Sequence, residues 1–349
     1  VGKLAWGAVA LVLAWLTYRF VEKPARDGKL LGVSTEWLPT AALAATVAVV
    51  LLAQFAKWDA QRVTSRPDQR AFAAARADRM RHDCWTETVD RLPQGCEFGE
   101  TQSSTVMALL GDSHAEHWLG ALDRVGREKG WKIVAMVKGG CPIPDMRGLM
   151  SRRTARNFVE CDRYREAMLQ RIVAMRPAAV ILSSWDHYVP VNGRADRWQV
   201  TPDMWERGLR RTYTRIAAAH IPAVAIRGTP RTPFDVPECL SRRGAGVPFS
   251  FPCEYEREGS VSQATRAAQT AAARGLPIHF VDMNDQVCAT AICPTIRDGT
   301  IIFTDDNHLT ASFSHMVAPA LGARLESALG LSRRESVIAA LHATSPSPK

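Results

Sequence analysis

Two uncharged stretches, fifteen residues from Leu4 to Tyr18 and twenty from Trp37 to Ala56, fill most of the first 58 positions of this 349-residue chain and have no counterpart later. About 20 apolar residues in a helix cross a hydrocarbon core, so the second stretch is long enough. The first is marginal, with Phe20 and Val21 extending it past Arg19. It lacks a basic leader with a small-residue cleavage site, and a second span follows, which argues against a signal peptide. Between the two, Arg19, Lys23, Arg26 and Lys29 outnumber Glu22 and Asp27. Positive loops stay cytoplasmic, so the hairpin is expected to turn there and to deliver everything after Lys57 to the opposite side of the lipid bilayer. The chain begins with Val and is read as the tail of a longer membrane protein.

Cysteine usage bears on the same topology. All eight cysteines, Cys84, Cys96, Cys141, Cys161, Cys239, Cys253, Cys288 and Cys293, lie beyond the second stretch. An even number confined to an exported part predicts disulfides, and neighbour pairing gives 84–96, 141–161, 239–253 and 288–293, against the alternative of buried free thiols. No Cys-x-x-Cys pair exists, and His114 and His117 have no acidic or cysteine partner at ligand spacing, so no metal is expected. The formal charge of +9 is diffuse, with no dense Lys/Arg run among aromatics, and nucleic acid is not an expected partner.

Residues 59–102 read as an Arg-rich, irregular linker. From Ser104 short apolar runs alternate with amphipathic segments. Strands are expected at 105–110, 132–137, 178–182, 223–226, 278–281 and 301–303, and helices at 115–129, 155–175, 204–219, 263–274 and 313–329. That alternation implies an α/β domain of three layers, α/β/α, around a mostly parallel sheet. Ligands bind beyond the carboxyl ends of such strands.

The first strand runs into Gly111-Asp112-Ser113-His114. A serine at a strand-to-helix turn sits where backbone N–H groups can stabilise an oxyanion, although Asp112 or Ser113 could equally be a plain helix cap. Near the chain end stands Asp305-Asp306-Asn307-His308-Leu309-Thr310, in which His308 could take the Ser113 proton while Asp305 holds the imidazole tautomer. The plain alternative is a polar turn capped by Thr310 or Ser312.

Taken together, GDSH after the first strand and Asp-x-x-His before the last helix resemble the SGNH hydrolase superfamily over about residues 105–329. The resemblance implies Ser113 as nucleophile, His308 as base and Asp305 as its orienter. It implies an oxyanion hole of the Ser113 N–H with Gly140, or Gly139, of VKGGCP. The family's asparagine after the third strand is replaced, since ILSSWDHY puts Ser184, Trp185 and Asp186 there. His114 and Trp185 are candidates to meet substrate. Trp118, Tyr188 and Trp198 could stack on sugars or sit in the core, and Trp118 lies on an apolar stripe that favours the core. His187 and His220 show no partner.

A second resemblance concerns Tyr18-Arg19-Phe20-Val21-Glu22-Lys23-Pro24-Ala25-Arg26, which is similar to the end of the acyltransferase-3 membrane domain. Some members of that family add one transmembrane helix and a periplasmic SGNH domain. On that pattern residues 1–21 are the last helix of the membrane domain, 22–36 a cytoplasmic loop and 37–57 the added helix. Residues 58–103 are then a periplasmic extension, 104–335 the catalytic domain and 336–349 a flexible tail. What this implies is a bacterial inner-membrane O-acetyltransferase of surface polysaccharide such as lipopolysaccharide O-antigen. The upstream membrane domain would draw on acetyl-CoA, and no cofactor would bind this segment. A carbohydrate esterase using the same residues, or a silent glycan-binding module, are the other readings.

Overall fold

The computed structural model describes residues 2–26, 37–80, 96–149, 156–189, 200–247 and 250–331. It divides into two units, residues 1–66 and 67–349. In the first unit, α1 (Gly2–Thr17) continues through a π-helical stretch (Tyr18–Glu22) into α2 (Lys23–Arg26), and α3 spans Leu38–Thr64. Hydroxyls on these apolar helices are satisfied internally: Thr17 donates to the Leu13 carbonyl and Thr46 to that of Ala42, each at 2.8 Å. Among the described residues one helical stretch, Ala42–Thr64, is long and apolar enough to cross a membrane by length and composition. A shorter apolar helical stretch among the described residues is Ala10–Phe20.

The second unit starts with α4 (Pro67–Ala75) and is built on a six-stranded sheet. Its strands are β1 (Glu97–Gly99), β2 (Val106–Gly111), β3 (Lys132–Val137), β4 (Ala179–Ser183), β5 (Ala223–Ile226) and, after the outlying β6 (Tyr255–Glu256), β7 (Ile278–Val281). The order is β1-β3-β2-β4-β5-β7, with β1 antiparallel to β3 and every other pairing parallel. Successive side chains of a strand face opposite ways, and both faces are covered. Met107 and Leu109 of β2 enter one core with Trp118, Leu122, Phe313 and Leu321, while Ala108 and Leu110 enter the other with Met168, Trp205 and Tyr213. The first core packs α6 (Leu119–Lys129), α12 (Ala311–Met316) and α13 (Ala318–Leu329); the second packs α7 (Val159–Met175), α8 (Pro202–Ala218) and α10 (Gln263–Ala272). Trp118 is core, as its stripe predicts, and so is Tyr188, stacked on Trp205.

Several expectations need correction. The linker is not irregular throughout: α3 runs on to Thr64, α4 follows, and β1 joins the sheet edge. The expected helix 115–129 is two, a short α5 (Ser113–Glu116) and α6, and the last helix is also two. Residues 301–303 do not extend the main sheet. There β9 (Ile296–Arg297) and β10 (Thr300–Ile301) form a hairpin, and Phe303 bridges Leu309. The remaining elements are α9 (Val236–Gly244), α11 (Asn284–Val287) and β8 (Ile292–Cys293), which pairs with β6. α8 begins two residues early because Thr201 accepts from the Met204 N–H and Pro202 pre-sets the first turn.

Three of the four neighbour disulfides are formed: 141–161, 239–253 and 288–293. Cys84 lies outside the described residues, and so do Trp198 and the 336–349 tail.

Candidate functional site

Beyond the carboxyl end of β2 the chain turns directly into α5. Gly111 is dictated by crowding rather than by an unusual turn: a Cβ there would fall 1.8 Å from the Ser183 carbonyl oxygen on neighbouring β4. Asp112 caps α5, its Oδ1 accepting from the His114 N–H at 2.8 Å, and its carboxylate also accepts from the Trp185 N–H at 3.1 Å. Burial pushes the Asp112 carboxyl up to about 6, against the backbone hydrogen bonds that favour its charge. Asp112 therefore ties β2 to the segment after β4 and fixes the residue that follows it, Ser113.

The Ser113 hydroxyl lies 2.8 Å from Nε2 of His308, and Nδ1 of that ring lies 2.7 Å from Oδ2 of Asp305. A carboxylate only accepts, so Nδ1 carries the proton and Nε2 offers its lone pair to the serine. Asp305 is held by its own loop, Oδ1 accepting from the N–H groups of Asn307 and His308 at 2.9 and 2.8 Å. Burial pushes its acidity one way, but the His308 side chain and these amides outweigh it and hold the carboxyl well below the usual range. Thr310 caps α12, accepting from Phe313 N–H at 3.1 Å. Both plain alternatives, the Asp112 cap and the Thr310 cap, are thus realised alongside the serine–histidine–aspartate chain.

Sequence reasoning missed the second layer around these groups. Asn307 Nδ2 donates to Asp306, which directs its Oδ1 at Nε2 of His114, 2.9 Å away. His114 therefore donates from Nε2, and burial followed by the nearby His308 keeps its pKa well below the ordinary histidine value. A neutral ring 4.9 Å from His308 adds no like charge when His308 takes a proton. Arg79 reaches Oδ2 of Asp305 at 3.3 Å, Arg76 pairs with Asp235 at 2.8 Å, and the Asp78 carbonyl accepts from Ala311 N–H at 2.8 Å. The 76–79 segment thus straps the Asp305–His308 loop, and no motif in it signals this.

His114 and Trp185, expected to meet substrate, are only 2% and 7% exposed. They stack on each other, ring centroids 6.1 Å apart. His187 does have a partner: its Nδ1 lies 2.7 Å from Oδ1 of buried Asp186. Gly139 and Gly140 follow β3, with Gly140 at φ +66°. Among the described residues no group of three or more His, Cys, Asp or Glu side chains is arranged to hold a metal ion.

Comparison with known proteins bears on family and fold. The family described as "SGNH domain (fused to AT3 domains)" matches residues 82–323. The chain belongs to that family. Its match begins well before residue 104, so part of the extension belongs with the domain. No curated protein matches by sequence. Among solved structures, the periplasmic domain of a lipopolysaccharide acetyltransferase from Salmonella ser. Paratyphi A is similar at a TM-score of 0.52 and 14% identity, covering 75% of this chain and 98% of that one. A putative acylhydrolase from Bacteroides fragilis (TM-score 0.39, 12% identity, 67% of this chain and 90% of that one) is a more distant likeness. So is an acetyl-xylooligosaccharide esterase from Geobacillus stearmophilus (TM-score 0.36, 13% identity, 66% and 96%).

Proposed function

We propose that this family member is part of a membrane-bound O-acetyltransferase, in which Ser113 carries the acetyl group and a hydroxyl of a cell-surface polysaccharide receives it. The observation that carries the reading is the hydrogen-bonded chain from the Ser113 hydroxyl through His308 to Asp305. Membership of a family fused to AT3 domains, and the likeness to an acetyltransferase domain, favour transfer over hydrolysis.

The chemistry follows from proton positions. Nε2 of His308 takes the hydroxyl proton as Ser113 Oγ attacks the acetyl carbonyl, and Asp305 stabilises the imidazolium through Nδ1–H. The developing oxyanion would meet the Ser113 N–H and the N–H of Gly140 or Gly139, each such donor being worth about 3 kcal/mol. His308 then returns the proton to the leaving group. In the second half His308 takes a proton from a sugar hydroxyl, whose oxygen attacks the acyl-serine, and returns it to Ser113 Oγ as the ester bond breaks, which restores the free serine and neutral imidazole. The acetyl group would originate from acetyl-CoA, handed over by a membrane domain of the same chain. The domain would work on the periplasmic side of the inner membrane, where the three disulfides suit an oxidising compartment.

The test is partition. The full chain, acetylated with p-nitrophenyl acetate, is expected to pass acetyl to added polysaccharide faster than to water, and Ser113→Ala to pass none. Acetate released at one rate with and without glycan would make the protein an esterase. Glycan acetylated equally by Ser113→Ala would remove the enzymatic reading.

A further inference from the structure

Next to the serine site, but distinct from it, lies an open cleft of about 910 Å³, within the size of small-ligand sites. His187 lines it, together with Arg231, Phe234, Tyr255, Glu258 and Asp306. Asp306 belongs to the loop that carries Asp305 and His308, and Thr232 donates from its N–H to the Asp306 carbonyl at 2.8 Å. The cleft and the catalytic loop therefore share a wall. A ring row links them as well: His308, His114, Trp185 and His187 follow one another at centroid spacings of 4.9, 6.1 and 5.7 Å.

His187 is the built part of this cleft. It is 7% exposed, and Asp186 beneath it is fully buried. Asp186 accepts from Nδ1–H of His187 with Oδ1 and from the Ser262 N–H with Oδ2, and its carbonyl accepts from the Thr265 hydroxyl. Gly228 makes room for it, since a Cβ there would lie 2.3 Å from Asp186 Cγ. With the proton fixed on Nδ1, Nε2 is a lone-pair acceptor, and it has no partner among the described residues. The rims are cross-linked, Cys239 of α9 to Cys253 before β6, and Arg231 N–H bonds the Ser260 carbonyl at 2.8 Å.

The charges narrow the ligand. Arg231 is paired with Asp306 at 3.0 Å and Asp235 with Arg76 at 2.8 Å. Glu256 and Glu258 have no ion-pair partner among the described residues, so the cleft presents negative charge and hydroxyl-accepting oxygens. Phe234, half-buried at the rim, supplies a ring face suited to the apolar side of a pyranose, while Tyr255 is buried beneath the cleft against Phe303. We propose that this cleft binds an uncharged glycosyl residue, one of whose hydroxyls donates to Nε2 of His187. The assignment rests on the acetyl-transfer reading for its purpose, as the acceptor subsite, but its binding is measurable without turnover.

Full chain carrying Ser113→Ala, in detergent micelles, would be titrated by saturation-transfer NMR with methyl glucopyranoside, methyl galactopyranoside and methyl rhamnopyranoside, and with methyl glucuronoside as the anionic comparison. At least one neutral glycoside should bind and the glucuronoside should not. His187→Ala should weaken binding about 3- to 10-fold, the worth of one neutral hydrogen bond. Because that variant strips buried Asp186 of its partner, Phe234→Ala on the rim carries the same test, and Glu258→Lys should admit the glucuronoside. No binding of any neutral glycoside, equal binding of the glucuronoside, or affinities unmoved in both His187→Ala and Phe234→Ala would overturn the assignment. Fluorophosphonate labelling of Ser113 in the unaltered chain reads the chemistry separately. Labelling without sugar binding defeats the cleft alone; sugar binding without labelling defeats the reaction alone.

Discussion

The Ser113 hydroxyl and the His308 imidazole meet at 2.8 Å although 195 residues separate them in the chain. One joins the end of the central strand β2; the other leaves a loop just before α12. The carboxyl end of β2 in the parallel sheet presents the serine, and the loop between the β9–β10 hairpin and α12, closed by the Phe303–Leu309 bridge, brings the imidazole to it. Removing either partner should therefore cost the same activity. Ser113→Ala and His308→Ala should each lower p-nitrophenyl acetate turnover on the order of 10⁴-fold or more, and the double variant should be no worse than either. Additive losses would show that the two do not act as a unit.

Asp305→Asn should keep the loop but release the wrong imidazole tautomer, with a fall in turnover of about 10³- to 10⁴-fold. The same substitution has a stability signature. A carboxyl held below its unfolded acidity of about 4 contributes stability above that pH and loses it as pH falls through the folded value. The gap in melting temperature between wild type and Asp305→Asn should be widest near neutrality and close below about pH 4.

Asp112 predicts the opposite sign. Burial pushes its carboxyl up to about 6 in the folded chain against 3.8 for an ordinary aspartate, so folding binds a proton between those values. The contribution is fully present below pH 3.8 and is lost as pH rises through 6. Relative to wild type, Asp112→Asn should gain about 3 kcal/mol between pH 4 and 7, read as a converging or crossing pair of melting curves.

The disulfides should differ in worth by the length of chain they close. The 141–161 link spans 20 residues and the 288–293 link 5. Chain-entropy arithmetic gives about 3 kcal/mol for the former and about 2 kcal/mol for the latter. Paired Cys→Ser variants of the full chain should melt in that order, the 141–161 pair lowest.

The layered fold was readable because its strands announce themselves as apolar runs, and the triad because GDSH and Asp-x-x-His each keep their chemistry within four residues. What escaped was assembled across distance. β1 has only three residues, ends in Gly99 and gains its place by pairing with β3 and by the Gly99 N–H bond to Asp123 of α6. Arg79 reaches Asp305 across 226 positions with no local pattern to mark it. The cleft draws its walls from four separate segments, so only folding defines it. His187 is the exception: an aspartate stood beside it in the sequence, but its significance depends on Asp186 being sealed from water. The burial of His114 and Trp185 was equally hidden, since proximity to the motif says nothing about which side of the backbone faces out.

The strap of Arg76, Asp78 and Arg79 also governs how the domain could be studied in isolation. A recombinant fragment trimmed to begin after Met80 would keep Ser113 and His308 yet strip Asp305 of a cation, Asp235 of its bidentate partner and Ala311 of an acceptor. Such a fragment would understate the activity of the intact chain, and a faithful excision has to start no later than Pro67.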